Sequence, residues 1–539
     1  MEISGRERPS SPGANSDAWG DAGRPASFPD FLLAAGLDRD PALIEATGTT
    51  SHRELREAVR RVEVALAELG LPEGARVGVL ASNSAFWVAC YLAAMTRWVV
   101  VPISEKLTPA QARAQLEFAG CRALCVDRRH RASHAAALGS LPLLGEDALS
   151  GSRPAPGNAR GVTVWESGGP GPDAGLDPGR DAGLVFTSGT TARPKAVRLT
   201  HRNLIANTEA IVSYLQLGRG DRMLVVLPFH YCFGASLLHT HLRVGGSLAL
   251  CNTFAFPQTA VALIDSQHCT GLAGVPSSFQ LLLRASNYAS AELPSLRLVQ
   301  QAGGKLPSPQ LLELAAAQPR AKLFVMYGQT EATARLSFLP PERLVDKLGS
   351  IGRGIPGVVL EVLDEQGRPV RPGAIGEIYA SGENVSPGYL DDPAASADKF
   401  PGGRLRTGDL ARVDEEGFIY VVDRRDDFIK SWGHRVSSQE IESCVLQMPE
   451  LLAAAAVGVP DDAAGEAIEL FVVAAPGHRL DAQAVDSFLR TRLARHMLPR
   501  HVHFEDALPM NANGKVTKAP LRARAAELHD PPTPARTTT

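Results

Sequence analysis

The segment that decides the fold runs from Leu184 to Lys195 and reads LVFTSGTTARPK. It begins as a short apolar run typical of a buried strand and continues into hydroxyl side chains, a glycine and a lysine. Such a loop can turn its backbone N–H groups and hydroxyls toward a polyphosphate, with the lysine as a point charge. It is not the P-loop, because GxxxxGK[ST] is absent. The segment predicts a phosphate-binding loop with these candidate contacts: Thr187, Ser188, Gly189, Thr190, Thr191 and Lys195.

The alternation of strand and helix patterns continues on both sides of this loop. Apolar runs typical of buried strands occur at 76–82 (RVGVLAS), 222–228 (RMLVVLP) and 321–328 (AKLFVMYG). After the loop, apolar residues recur at helical spacing over 204–215 and give one apolar face. Strands followed by helices indicate a layered α/β architecture with a largely parallel sheet. Ligands of such sheets bind beyond the carboxyl ends of the strands.

Composition limits the partners and the compartment. The chain has 539 residues, 44% of them hydrophobic, and a formal net charge of -3. So small a charge predicts no nucleic-acid partner. No apolar run approaches the ~20 residues that a membrane helix needs, which predicts no integral membrane association. Seven scattered cysteines without a CxxC pair predict reduced, buried thiols and a cytoplasmic protein.

A second group of candidate ligands follows the strand pattern at 321–328. Tyr327 can stack on a purine, the hydroxyl of Thr330 can donate to a phosphate oxygen, and the carboxylate of Glu331 suits Mg²⁺. Glycines upstream, in the segment QAGG, allow the backbone to approach a ligand closely, although a simple turn is the alternative. The further candidates of this group are Ala302, Gly303, Gly304, Gly328 and Gln329.

Together these motifs resemble those of the adenylate-forming (AMP-binding) superfamily. That superfamily includes acyl-CoA synthetases, adenylation domains of peptide synthetases, and luciferases. The resemblance covers residues 28–525. Five segments in the family's order carry it: LVFTSGTTARPKAVRLTHRNL (184–204), YGQTE (327–331), TGD (407–409), the segment 424–442, and Gly514-Lys515.

The resemblance implies two domains. It predicts a large N-terminal domain of layered, mostly parallel sheets with helices at 28–425. A small, mobile α+β C-terminal domain is expected at 426–525. Polar, Gly- and Pro-rich composition predicts disordered tails at 1–27 and 526–539.

The resemblance also implies roles for residues near the domain boundary. Asp409 corresponds to the family's ribose clamp, and Arg424 to the arginine near the ribose. Asp426 corresponds to the hinge between the two domains, and Gly433 to the loop that faces the thiol. Lys515 corresponds to the lysine that enters the active site from the C-terminal domain and neutralises charge near the substrate carboxylate and the α-phosphate.

The implied activity is an acid–thiol ligase reaction. ATP with Mg²⁺ activates a small-molecule carboxylic acid as an acyl-adenylate, and pyrophosphate leaves. The acyl group then passes to coenzyme A or to the phosphopantetheine of an acyl or peptidyl carrier protein. The implied catalytic residues are Lys515, Lys195, Thr330 and Glu331. Three alternatives remain open: an amino-acid adenylation enzyme that loads a carrier protein, an oxidative luciferase-like enzyme, and an inactive binding or scaffold protein.

The segment 227–234 (LPFHYCFG) resembles the family's gate to the acyl pocket. Tyr231 takes the place of the gating aromatic or histidine, and Phe233, Gly234 and Ala302 are further candidate pocket residues. Peptide-synthetase adenylation domains usually place an aspartate here to pair with a substrate ammonium. Its absence favours an apolar, aromatic or modified acid, because a buried ammonium without a counter-charge is costly. A cyclic imino acid such as proline stays possible.

Three positions depart from the family pattern. Ala192 stands where the family's phosphate loop usually has glycine or serine, and Ala196 stands where the family usually has the glycine of Pro-Lys-Gly. Because alanine has less freedom at positive φ, altered loop mobility is expected. Asp423 stands where the family usually has glycine, so the conformation of the hinge is an open question.

Overall fold

The computed structural model describes residue 25 and residues 27–139, 141–149, 176–187, 195–425, 427–475, 477–511 and 516–529. The predicted strands at 76–82, 222–228 and 321–328 are confirmed, since each run contains the observed strand, and the predicted helical run over 204–215 lies within the observed helix. The elements up to Thr200 are α1 (Phe28–Leu33), β1 (Pro41–Glu45), β2 (Gly48–Ser51), α2 (His52–Glu68), β3 (Arg76–Leu80), α3 (Ala85–Arg97), β4 (Val99–Pro102), α4 (Pro109–Phe118), β5 (Cys121–Val126), α5 (Arg128–Leu138), β6 (Leu143–Leu144), β7 (Asp181–Thr187) and β8 (Lys195–Thr200).

The middle of the chain alternates helices with short strands. Its elements are α6 (His201–Leu215), β9 (Arg222–Val225), α7 (Cys232–Arg243), β10 (Ser247–Leu250), α8 (Pro257–Ser266), β11 (Gly271–Gly274), α9 (Pro276–Ala285), β12 (Leu298–Gln301), α10 (Ser308–Ala317), β13 (Lys322–Tyr327), β14 (Ser337–Leu339) and β15 (Arg353–Gly354).

The remaining elements form an antiparallel sheet and then the C-terminal sheet with its helices. They are β16 (Val359–Leu363), β17 (Ile375–Ser381), α11 (Pro393–Lys399), β18 (Leu405–Val413), β19 (Ile419–Arg424), β20 (Ile429–Ser431), β21 (His434–Val436), α12 (Ser438–Val445), β22 (Leu451–Asp461), β23 (Gly465–Ala474), α13 (Ala482–Arg490), β24 (His501–Phe504) and α14 (Lys518–His529).

Two large sheets are mostly parallel, which confirms the predicted fold class. One has the order β6-β5-β3-β4-β7-β8, and the other β15-β14-β13-β12-β11-β9-β10-β1-β2. The order of the antiparallel sheet is β16-β17-β18-β19. The C-terminal sheet has the order β21-β20-β23-β22, with β24 parallel to β23.

The two parallel sheets share one hydrophobic core. Trp87 and Phe229, whose ring centroids lie 5.4 Å apart, are fully buried there. Helix α1 begins at Phe28, and the side chain of Ser27 caps it by accepting from Asp30 N–H. Phe28 packs its ring edge-to-face on His239, with ring centroids 5.3 Å apart. These contacts fix the sheets relative to each other and therefore fix the loops at their edges.

The predicted state of the cysteines is confirmed: all seven are buried and carry free thiols. In the part of the chain that the structure describes, no helix is both long and apolar enough to cross a membrane.

Candidate active site

A cleft opens where β12 and β13 end, and its walls enclose about 1170 Å³ of empty space, including the part open to solvent. Neighbouring parallel strands deliver the loops that follow them to the same edge of a sheet. The predicted residues that line the cleft are Thr187, Tyr231, Phe233, Ala302, Gly303, Gly328, Gln329, Thr330, Glu331 and Arg424. Lining residues that were not predicted are Cys232, Ala334, Arg335, Lys399, Thr407, Gly408 and Asn511.

Two predicted nucleotide-binding residues that line this cleft, Gln329 and Arg424, contact Asp409, which together with Tyr327 lies directly behind them. The hydroxyl of Tyr327 donates to Asp409 Oδ2, and Gln329 Nε2 donates to the same oxygen over 2.7 Å. Arg424 Nε donates to Asp409 Oδ1 over 3.1 Å, because β18 and β19 pair with these two residues opposite each other. Burial and the charge of Asp409 raise the pKa of Tyr327, so the phenol keeps its proton. Asp409 thus has three of about four acceptor positions filled by protein donors.

Cations and a carboxylate lie together at the end of the cleft that Glu331 lines. The hydroxyl of Tyr389 donates to Glu331 Oε1 over 2.9 Å, and Lys195 Nζ lies 5.1 Å from the centroid of the Tyr389 ring. Lys399 Nζ donates to the carbonyl of Thr407 over 2.9 Å. Burial lowers the pKa of Lys399, while the negative charge of Glu331 opposes that shift. This end can therefore accept both a metal cation and phosphate oxygens.

Two glycines are required by the packing of the loops around the cleft. A Cβ on Gly328 would lie 1.9 Å from the carbonyl oxygen of Ala334, so only glycine fits there. Gly303 has φ 84°, and a Cβ on it would lie 2.7 Å from Val275 Cγ1. Glycine is the residue that tolerates such a φ. Both positions support the predicted close approach of the backbone.

The predicted acyl gate lies at the start of α7. Tyr231 is its N-cap residue, and Phe233 lies two residues further on, with its ring 4.0 Å from the guanidinium carbon of Arg335. Gly234 packs against the turn before the helix, where a Cβ would lie 2.1 Å from the carbonyl oxygen of Pro228. Gly234 and Gly304 are not among the described residues that line the cleft, and neither are Lys195, Tyr327 and Asp409. Gly234 therefore sets the position of the helix.

The C-terminal part of the chain reaches the cleft through Asn511. Met510 and Val516 form an isolated antiparallel bridge, and Thr517 N–H donates to the carbonyl of Pro509 over 2.8 Å. These contacts fix both ends of the segment that carries the predicted Lys515. That lysine lies outside the described residues, as do Ser188, Gly189, Thr190, Thr191, Ala192 and Asp426.

Asp423, one of the three departures, is fully buried beside the predicted hinge. Its Oδ2 accepts from Ser437 Oγ over 3.0 Å and from Ser438 Oγ over 2.9 Å. Lys518 Nζ donates to Ser438 Oγ over 2.6 Å and pairs with Glu442 Oε1 over 2.7 Å. The aspartate therefore ties the strand before the hinge to the first turn of α12 and, through Ser438, to α14.

Ala196, the other departure from the family pattern that the structure describes, does not lie in a loop as the sequence had suggested. Ala196 lies inside β8, opposite Phe186 of β7, and is fully buried. It has no positive φ. Its small side chain fills a core position, so the expectation of altered loop mobility does not apply to it.

Gly433 has φ 76° and lies in the turn between β20 and β21.

Three side chains at the cleft were missed by the sequence reasoning. Tyr389 and Lys399 lie more than fifty residues after Glu331 in the chain, and no motif marks them. Arg335 lies four residues after Glu331, the last residue of the YGQTE segment, so its nearness to that motif was the available signal. The structure alone shows that all three contact or line the cleft.

Comparison with known proteins agrees with this geometry. The family model described as AMP-binding enzyme matches residues 34–390, and the model of its C-terminal domain matches residues 440–515. Feruloyl-CoA synthase from Amycolatopsis sp is 33% identical over 88% of this chain and 94% of that protein. The 2-succinylbenzoate–CoA ligase of Bacillus pumilus is 31% identical over 90% of this chain and 95% of that protein.

Solved structures give the same result. ATP-bound MatB from Rhodopseudomonas palustris has a TM-score of 0.81 and 29% identity, covering 94% of this chain and 100% of that one. The o-succinylbenzoate coenzyme A synthetase of Bacillus subtilis, in complex with ATP and a magnesium ion, has a TM-score of 0.78 and 27% identity. That match covers 92% of this chain and 98% of the other. The chain therefore belongs to the AMP-binding enzyme family, and it is an AMP-forming acid–thiol ligase.

Proposed function

We propose that this enzyme activates a carboxylic acid with ATP, releases pyrophosphate and transfers the acyl group to the thiol of coenzyme A. The observation that carries the proposal is the layout of the cleft. Gln329 and Arg424 line it and contact Asp409 behind them. Glu331 and Lys399 also line it, and Lys195 lies near Glu331 across the Tyr389 ring. Such an arrangement suits a nucleoside with a polyphosphate chain.

In the first step a substrate carboxylate oxygen attacks the α-phosphorus of ATP. An O–P bond forms, and the bond from the α-phosphorus to the bridging oxygen breaks. Pyrophosphate leaves with that electron pair. Because both reactants are anions, charge neutralisation and in-line positioning supply most of the acceleration.

Glu331 suits a magnesium ion. Its carboxylate lines the cleft and, within the described chain, accepts from a neutral hydroxyl and forms no ion pair. An unpaired carboxylate is a good oxygen ligand for Mg²⁺, which would neutralise phosphate charge. Lys195 and Thr330 are the proposed partners of the phosphate oxygens, together with residues 187–191. Lys399 adds a further cation at this end.

Asp409 and Arg424 are proposed to bind the ribose. Tyr327 and Gln329 are proposed to keep the Asp409 carboxylate in position through their hydrogen bonds to it. The cleft glycines Gly303 and Gly328 let the backbone pass close to the nucleotide.

In the second step the thiol sulfur attacks the acyl carbon. A C–S bond forms, AMP leaves with the electron pair of the broken C–O bond, and the thiol proton passes to solvent. We assign residues 28–425 and 426–525 to two domains that turn about Asp426 between the steps. Lys515 serves the first step, and Gly433 lies on the thiol path of the second.

The acid is proposed to be aromatic. Tyr231, Phe233 and Ala302 line the predicted acyl side, and Glu331 is the single carboxylate among the described lining residues. An α-amino acid would therefore lack a separate counter-charge for its ammonium group. The names of the relatives, feruloyl-CoA synthase and 2-succinylbenzoate–CoA ligase, are those of enzymes for aromatic acids.

Coenzyme A is the proposed acceptor, as the names of the relatives indicate. A carrier-protein phosphopantetheine offers the same thiol, so it is the second acceptor to be tested. Purified enzyme with ATP, Mg²⁺ and a panel of aromatic, aliphatic and amino acids should release pyrophosphate with an aromatic acid. Mass spectrometry of the thioester then separates coenzyme A from a carrier protein. Absence of pyrophosphate release with every acid would refute the proposal.

Lys515→Ala tests the assigned lysine. Adenylation should fall on the order of 100-fold or more. Thioester formation from preformed acyl-adenylate should change little, because the lysine has left the site by then. Lys322→Ala is the matched control, since Lys322 is exposed at the amino end of β13, away from the cleft. Equal loss in both half-reactions would remove the role from Lys515.

A further inference from the structure

Arg335 is the one arginine among the largest fully buried side chains of the described residues, with 1% of its surface exposed. It lines the cleft, beside the predicted acyl gate. Its backbone carbonyl accepts from Asn207 Nδ2 over 3.0 Å and from Asn384 Nδ2 over 2.9 Å. These two bonds fix the residue where α6 and the loop after β17 meet. Its position is therefore set by the fold.

The guanidinium has neutral neighbours. Its Nε donates to Met326 Sδ over 3.3 Å, and its carbon lies 4.0 Å from the centroid of the Phe233 ring. The hydroxyl of Tyr214 donates to the same sulfur over 3.0 Å. Within the described residues, Nη2 has no hydrogen-bond partner and no carboxylate pairs with the group. A buried positive charge is thus left without a counter-charge.

Burying an unpaired guanidinium raises the free energy of the folded protein, and arginine cannot lose its charge to avoid this. A guanidinium stays charged in proteins, so it does not become neutral on burial as a lysine can. A ring face and a thioether attract the cation but do not neutralise it. A buried unpaired charge is destabilising until a ligand of opposite charge arrives.

The charge acts on the acyl side of the cleft. Burial raises the pKa of Tyr231 and of Cys232, and the charge of Arg335 opposes both shifts. Both residues line the cleft. Glu331 and the Thr330 hydroxyl also lie near Cys232, whose pKa the negative charge of Glu331 raises further. The unpaired cation therefore lies beside two residues of the predicted acyl gate, Tyr231 and Phe233.

We infer that Arg335 binds an anionic group of the acid substrate, remote from the carboxylate that is adenylated, and that the enzyme selects dianionic aromatic acids. The inference rests on the proposed function and adds to it a residue and a substrate class. The second carboxylate would accept two parallel N–H bonds from the guanidinium, which is the geometry that arginine favours. Phe233, stacked on the guanidinium, would hold its plane in place.

Matched pairs of acids test this directly. Each aromatic dicarboxylic acid is compared with its half-amide, which has nearly the same size but one charge. Pyrophosphate exchange with wild-type enzyme should favour the dicarboxylate on the order of 100-fold in kcat/KM, because the half-amide leaves the charge uncompensated.

Two variants assign the preference to Arg335. Arg335→Met keeps the length and removes the charge, so the preference should vanish or reverse while KM for ATP stays the same. Arg335→Lys keeps a charge without the two parallel donors and should retain part of the preference. Arg353→Met is the matched control, because Arg353 also stacks on a phenylalanine, Phe418, at 4.4 Å, but lies outside the cleft lining. It should leave the preference unchanged.

The outcomes separate the inference from the proposed function. Equal or better exchange with the half-amides, or a loss in Arg335→Met that is the same for both members of each pair, would overturn the inference alone. Failure of every acid to exchange would overturn the proposed function. Calorimetric binding of the dicarboxylates to wild type and to Arg335→Lys, whose fold is checked by circular dichroism, then still reports on the inference. Weaker binding by the variant supports it, and equal binding refutes it.

Discussion

Removing the carboxylate of Asp423 should loosen the connection between β19 and α12. The side chain is fully buried and is the acceptor for two hydroxyls of the first turn of α12, on Ser437 and Ser438. Its Oδ1 accepts from the N–H of Arg424 over 2.7 Å. In Asp423→Ala the hydroxyl of Ser437 can still donate to the carbonyl of Val422, 3.0 Å away.

Three donors then lose their acceptor: the Ser438 hydroxyl, the Arg424 N–H and the Gln439 N–H, which donates to Asp423 Oδ2 over 3.4 Å. Each costs about 1–3 kcal/mol, and the loss is partly offset because one buried charge disappears. We expect the free energy of local opening of α12 to fall by about 3 kcal/mol. Amide hydrogen exchange in this helix should accelerate about 100-fold, at 1.4 kcal/mol per tenfold change.

Hydrogen exchange followed by mass spectrometry measures this on peptides that cover α12. Glu415→Ala is the control, since Glu415 is an exposed acid on the turn before β19, and its effect should stay within about 0.5 kcal/mol. Acceleration of α12 exchange below about threefold in Asp423→Ala would show that water or a shifted side chain satisfies the donors. That result would refute the reasoning.

Two further predictions concern charge. Glu331→Gln should lower pyrophosphate release about 10²–10³-fold and weaken its dependence on Mg²⁺, whereas exposed Glu342→Gln should do neither. Kinetics over a magnesium titration measure both, and an unchanged magnesium dependence would contradict the assignment. Burial lowers the pKa of His201 and of His239 to about 3, from 6.5. The unfolded state therefore binds more protons between pH 6.5 and 3, and stability falls as pH falls through this window. Each histidine should contribute a loss of about 2 kcal/mol between pH 7 and pH 5. Urea unfolding of His239→Phe at both values should show a shallower pH dependence, and an unchanged slope would contradict the reasoning.

Local sequence patterns predicted several of the strands and a helix of this molecule. The apolar run over 222–228 contains β9, and the apolar face over 204–215 lies within α6. The reason is that a strand and an amphipathic helix each impose a short period on the chain. Residues of the YGQTE segment and of the loop at 301–304 line the same cleft, because parallel strands end at one edge of a sheet.

Other features depend on contacts between distant segments. The sequence placed Ala196 in the phosphate loop, whereas pairing with β7 puts it inside a strand. The sequence did not reveal what Asp423 contacts, and the structure shows that it accepts from Ser437 and Ser438, beyond the predicted hinge. Neither contact follows a local period.

The sequence by itself determined the family, the strand that leads into the predicted phosphate loop and the types of side chain that follow it, because those features are encoded in short contiguous motifs. Only the tertiary structure decided that Lys399 and Tyr389 join Glu331, and that Arg335 lies against Phe233 with no carboxylate partner in the described chain. Burial and electrostatic partnership depend on which surfaces face each other after folding. The sequence specifies which charged side chains are present. The tertiary packing determines which of them are paired within the protein and which can bind a ligand.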